Sequence, residues 1–137
     1  MILSLAVLST ALLFGGMTLL FGGMTLYSFG FAAFLFTALP APAAGQALRQ
    51  AFPWFYAFVI ATAALASLLW WPNDTVFAAV MAAVALTTLP VRQLLMPAIN
   101  RATDAGARQR FKWLHGLSVV VTLVHIAATG WLLANLA

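Results

Sequence analysis

Apolar residues run along this chain in four long blocks and do not alternate with polar ones. The first block, Ile2 to Leu39, carries no charge. The others run from about Phe52 to Trp71, from just after Asp74 to Leu95 and from Trp113 to Leu136. Each reaches or exceeds the roughly 20 residues that a helix needs to cross about 30 Å of hydrocarbon. Ala and Leu dominate, and regular turn signals between short alternating stretches are missing, so the pattern argues against a β-barrel. It predicts an all-α fold, an antiparallel bundle of four transmembrane helices over approximately 2–39, 44–71, 75–96 and 104–136. These form one transmembrane domain across 1–137, with an unusually long first helix.

The breaks are equally legible. "LPAPAAGQ", Leu39 to Gln46, is a Pro-rich connector, and "WWPNDT", Trp70 to Thr75, is a tight turn in which Asp74 can cap the next helix. "MPAINRATDAGARQR", Met96 to Arg110, is the one extended polar stretch, and its Asp104 is placed to cap the fourth helix. Pro53 and Pro90 predict kinks in spans two and three.

Composition narrows the solvent. The chain is 65% apolar and 6% charged, against about 25% charged in soluble domains, so eight charges cannot cover a water-facing surface and the solvent is lipid. It has no cysteine, which removes disulfides and thiolate chemistry. The net charge of +4 does not point to nucleic acid, because the basic residues lie beside the apolar spans. Arg49 lies between spans one and two, and Arg92, Arg101, Arg108, Arg110 and Lys112 lie around the connector of spans three and four. All six fall on one side, which the positive-inside rule makes cytoplasmic. Both termini then face the periplasm or exterior of a bacterial cytoplasmic (inner) membrane, with Trp70, Trp71 and Trp131 in the outer aromatic belt. The first block lacks a basic n-region and is too long for a cleaved signal peptide.

The first span contains a doublet: Leu13 to Leu19 is written again as Leu20 to Leu26. Seven residues add about 10.5 Å and rotate the face by only about 20°, so the repeat reads as a face-preserving spacer that lengthens the helix outward. Ser9, Gly16, Gly23, Gly30 and Thr37 recur at heptad spacing, a small-residue stripe that predicts the packing seam of helix one. The helix must tilt, project or bend at Gly15–Gly16 or Gly22–Gly23.

Candidate chemistry concentrates in the fourth span. His115, Ser118, Thr122, His125 and Thr129 are spaced 3, 4, 3 and 4 residues apart and share one face. A polar face is costly against acyl chains, so it should point into the bundle or a partner, either as hydrogen-bonding glue between helices or as a path or ligand site. His125 lies roughly 20 Å beyond Lys112, at the depth counted for Met24 and Met81, with Thr62 within a turn of that level. His with two thioethers suits Cu(I), although Met is also a common packing residue. Haem needs two converging axial ligands, and His115 and His125 stand about 15 Å apart on one helix. No cofactor is therefore predicted, with Cu(I) and haem the alternatives. The chain has no Glu and no oxyanion or phosphate-loop motif, so an enzyme is unsupported.

Several stretches then converge. "GGMTLYSFGFAAFLFTALP", "AFPWFY" and "RFKWLHGLS" resemble the transmembrane protein 205-like family of four-helix membrane proteins, a domain of unknown function. The residues that carry the likeness are Gly22, Gly23 and Met24 with Leu39 and Pro40, then Phe52, Pro53 and Tyr56, then Arg110, Phe111, His115, Gly116 and Ser118. Pro97, Asn100 and Asp104 also fall where the family would place such residues. Thr122 departs from an Asn frequent in the family, and the extra heptad is not part of its pattern. The resemblance implies a hot region at the cytoplasmic end, where His115 can meet water, a lipid phosphate or a carbonyl freed at Pro53.

Three functions follow as expectations: a small transport or export component, an accessory subunit of a larger membrane complex, and a metal- or haem-binding protein. Expected partners are the lipid bilayer and either a homo-oligomer or a larger complex. The segment Arg101 to Lys112 is either a topology determinant or a site for anionic lipid headgroups.

Overall fold

The computed structural model describes residues 2–136, with side chains from Leu5 onward. The terminal residues of the predicted 1–137 domain lie outside the described residues. Among the described residues every regular element is helical, and four helices are long and apolar enough to cross a membrane: Leu5–Ala38, Ala41–Trp70, Thr75–Asp104 and Arg108–Leu136.

The first span is α1 (Ile2–Thr25), a π-helical stretch (Leu26–Phe31) and α2 (Ala32–Ala38). It passes through both Gly pairs without a break. Its departure from α geometry comes later, in "LYSFGF". Leu39 is extended and Pro40 takes a polyproline-like conformation, which ends the span. α3 (Ala41–Trp70) follows, with a Pro in its first turn, where a missing N–H costs nothing. Pro53 lies inside this helix.

The Trp70–Asp74 turn forms as expected. Asp74 Oδ1 accepts from the backbone N–H groups of Val76 (2.9 Å) and Phe77 (3.0 Å), which caps α4 (Thr75–Pro90). Across this hairpin the buried Ser67 hydroxyl donates to Ala78 O at 2.7 Å. Ser67→Ala should lower the thermal midpoint in detergent only slightly, since such bonds average about 0.6 kcal/mol in membranes.

The third span does not stop near residue 96. After a π-helical stretch (Val91–Leu95), α5 (Met96–Asp104) continues it. Two prolines that cannot donate, Pro90 and Pro97, flank the irregular turn, and the polar residues beyond Leu95 remain helical. The helix then ends in a Schellman turn. Ala107 N bonds Ala102 O (2.9 Å), Gly106 N bonds Thr103 O (3.1 Å), and Gly106 takes φ +65°. Asp104 is therefore not the cap of the fourth helix, which begins at Arg108 as α6 (Arg108–Leu136). Its carboxylate instead holds Arg49, 55 residues away, through Nη2 at 2.6 Å and Nη1 at 3.2 Å.

The spans pack as an antiparallel bundle, the first against the second and fourth, and the second against the third. The buried line on α1 is Leu13, Met17, Leu20 and Met24, each at most 2% exposed. These are equivalent pairs from the two heptad copies, so the repeat keeps one packing face and both copies belong to the core. The small stripe is only its flank. Gly16 faces the Thr62 methyl and Gly23 the Phe58 ring, while Ser9 is half-buried and Gly30 and Thr37 are exposed. The closest approach on this side comes from α6, where a Cβ at Gly130 would stand 2.9 Å from the Phe21 ring. Leu5, Val7, Leu8 and Leu12 are all exposed, so the end of α1 carries an apolar surface that no other helix covers.

Candidate functional site

The polar face of α6 turns inward along most of its length. Ser118, His125 and Thr129 are buried and Thr122 is half-buried. His115 is not part of that interior. It is exposed at the basic end, its ring stacked on Phe111 with centroids 5.3 Å apart.

The hydroxyls of this face do not tie helices together. Ser118 donates to His115 O (2.7 Å), and Thr129 to His125 O (2.8 Å), both within α6. The cross-helix bond comes from the imidazole: His125 Nε2 lies 2.7 Å from Thr87 Oγ1 on α4. Thr87 Oγ1 also lies 2.6 Å from Ala83 O, so the hydroxyl can donate to that carbonyl while accepting from the ring, or donate to the ring nitrogen, according to the imidazole tautomer. Neither Thr87 nor its neighbour Thr88 stood out in the sequence. The "TTLP" before Pro90 was the available signal.

Beside His125 lies a small, partly open cavity of about 10 Å³. All four spans line it: Met24 from the first, Phe55, Tyr56 and Val59 from the second, and Thr88 and Val91 from the third. Val121, Thr122 and His125 complete it from the fourth. The second π-helical stretch borders this space at Val91, and the first starts two residues after the lining residue Met24. A π turn carries an extra residue, which breaks the regular side-chain interlock and frequently marks a functional site. Towards the basic end the cavity is roofed by aromatic rings. Tyr27 stacks on Phe55 (4.6 Å, 3°), and Phe52 meets both edge-on.

A space of this size holds one water or one bare ion, far less than a macrocycle. The lining residues that carry heteroatoms are His125, Met24, Tyr56, Thr88 and Thr122, although the lining is mostly apolar and the Thr88 hydroxyl is given to Val84 O at 2.6 Å. Met81 is fully buried but does not line the cavity, so the three-ligand set of Met24, Met81 and His125 does not assemble. Among the described residues no group of three or more His, Cys, Asp or Glu could hold a metal ion.

The motif residues divide between two places. Met24 and Tyr56 meet at the cavity, with Gly23 packed against Phe58 one layer away. Gly22, Arg110, His115 and Gly116 are exposed, and Phe52 belongs to the aromatic roof. Pro53 O accepts from Arg92 Nε at 3.0 Å and does not meet His115.

These features define a four-span helical integral membrane protein with a water-sized, largely apolar cleft lined by all four spans. A family model, a domain of unknown function (DUF4149), matches residues 8–108, which take in the first three spans and end where α6 begins. The chain belongs to that family. No curated protein matches it, and no solved structure does.

Proposed function

We propose that this protein is a small transport- or export-type component of the bacterial cytoplasmic membrane, with His125 and its cavity as the working centre. The observation that carries the reading is the placement of His125. An ionisable ring is buried among apolar helices, bonded across to Thr87 and set beside a space that every span lines. Ionisable groups at membrane depth are costly and mark ion and proton paths by default. A space of this size suits a proton or a small inorganic ion, and a wider path would be built from several copies of the chain. Met24 and Tyr56, two of the residues that resemble the transmembrane protein 205-like pattern, lie at this cavity. The basic end faces the cytoplasm by the positive-inside rule.

The test is proton flux into proteoliposomes that carry an internal pH dye, driven by a potassium diffusion potential. Wild type should exceed empty vesicles, and His125→Leu should fall to the empty-vesicle rate while keeping its helicity and elution volume. Flux unchanged by His125→Leu would end this reading.

A second reading, an accessory subunit of a larger complex, is favoured by one feature. The first span is the least buried of the four, and Leu5, Leu8, Leu12 and Leu19 are all more than half exposed. It predicts defined protein partners after gentle solubilisation of native membranes. A Cu(I) site is the third, reduced here to the two soft ligands Met24 and His125.

A further inference from the structure

Charge at the two ends of the bundle does not balance. The chain has six Lys and Arg residues and two carboxylate side chains. Asp74 is at the far end, committed to capping α4. Asp104 is at the basic end but is gripped through both oxygens by Arg49. Six cations less the one paired leaves five without a carboxylate among the described residues: Arg92, Arg101, Arg108, Arg110 and Lys112.

Arg92 is the most constrained of these. It is half-buried, donating from Nε to Pro53 O at 3.0 Å and from Nη1 to Gln93 Oε1 at 3.3 Å. Both acceptors are neutral, so they orient the guanidinium without compensating its charge. The orientation fixes its depth as well. Pro53 precedes Trp54, which is 77% exposed, and Trp113, 74% exposed, follows Lys112 on the fourth span. Exposed indoles on a membrane protein settle at the headgroup boundary. Arg92 and Lys112 therefore stand at the level where lipid phosphates lie, with Arg108 one helical turn further out. An apolar exterior on all four helices puts acyl chains directly below them.

We propose that this end of the bundle binds the headgroups of anionic phospholipids, with Arg92 as the fixed contact and Arg108 and Lys112 as further cations on one face of α6. A zwitterionic headgroup brings its own cation to the phosphate and leaves the imbalance uncorrected. An anionic one corrects it. The surface goes beyond a topology signal because Arg92 is held in place by a backbone carbonyl of another span.

The test uses the full chain in phosphatidylcholine bilayers and compares spin-labelled phosphatidylglycerol with spin-labelled phosphatidylcholine at the protein surface. Wild type should prefer the anionic lipid by about fivefold or more, and the preference should shrink in high salt. Arg92→Gln with Arg108→Gln and Lys112→Gln should bring it to parity. The pair Arg108→Gln and Lys112→Gln, which leaves the Arg92–Pro53 contact intact, should give an intermediate value and guards against misfolding in the triple variant. No preference in wild type, or an undiminished one in both variants, overturns the proposal. So does displacement of the labelled lipid by millimolar inorganic phosphate or by polyglutamate, which would assign the surface to a soluble anion or an acidic protein.

Discussion

Deleting Leu13–Leu19 should lower the thermal midpoint of the detergent-solubilised protein on the order of 10 °C or more. The two copies are identical, so removing either one yields the same polypeptide, and the outcome cannot depend on which is regarded as extra. In the shortened chain the residues before the junction move seven places inward. Ala6 then takes the position of Leu13, and Thr10 that of Met17, both of which are at most 2% exposed. Large-to-small changes at buried sites cost about 2–5 kcal/mol each. The lower end applies here, because acyl chains are as apolar as leucine and only the packing contribution is lost. Two such sites amount to about 4 kcal/mol, which a domain of this size registers as the shift expected. Adding Ala6→Leu and Thr10→Met to the deleted chain should restore most of the loss without restoring length. If the deletion leaves the midpoint unchanged, the outer copy is not part of the core.

Gly130→Leu should loosen α6 from α1. A Cβ alone would stand 2.9, 3.4 and 3.5 Å from three atoms of the Phe21 ring, and leucine adds three further carbons in the same direction. Overpacking of this kind costs about 1–3 kcal/mol. Gly130→Ala is the milder case, because the ring edge can rotate away and alanine gains up to about 1 kcal/mol in helix preference. Phe21→Ala placed in the Gly130→Leu background should recover part of the midpoint, since it removes the atoms in conflict. Equal stability of wild type and the leucine variant would show that the two helices are not in close contact.

What could be read from the sequence was whatever depends on neighbours in the chain. The four spans, the Asp74 cap and the inward turn of the α6 face around His125 all follow from local composition and period. The seam of helix one did not, for a specific reason. In a heptad doublet every position recurs at seven, so the Gly line and the Leu–Met line have the same periodicity. Only the partners Phe58, Thr62 and Gly130 distinguish them. Equal depth for Met81 and His125 holds only for a third helix that ends with its apolar block. The helix runs on through a π turn to Asp104, which sets Thr87, six residues nearer the basic end, opposite His125. Asp104 itself was open to two uses, and the partner that decided between them, Arg49, is remote in sequence.

The uncovered start of α1 bears on where in a membrane the molecule rests. Its first apolar helix spans 34 residues beside neighbours of 29 and 30. The difference from the shortest, five residues, is about 7.5 Å of rise. Each ångström of hydrophobic mismatch costs a fraction of a kcal/mol. The energy is smallest where the bilayer is thick on the side of the termini, or where lipids there stretch to meet Leu5 and Leu8. The protein would then partition laterally into thicker, more ordered patches, and a chain shortened by one heptad would lose that bias.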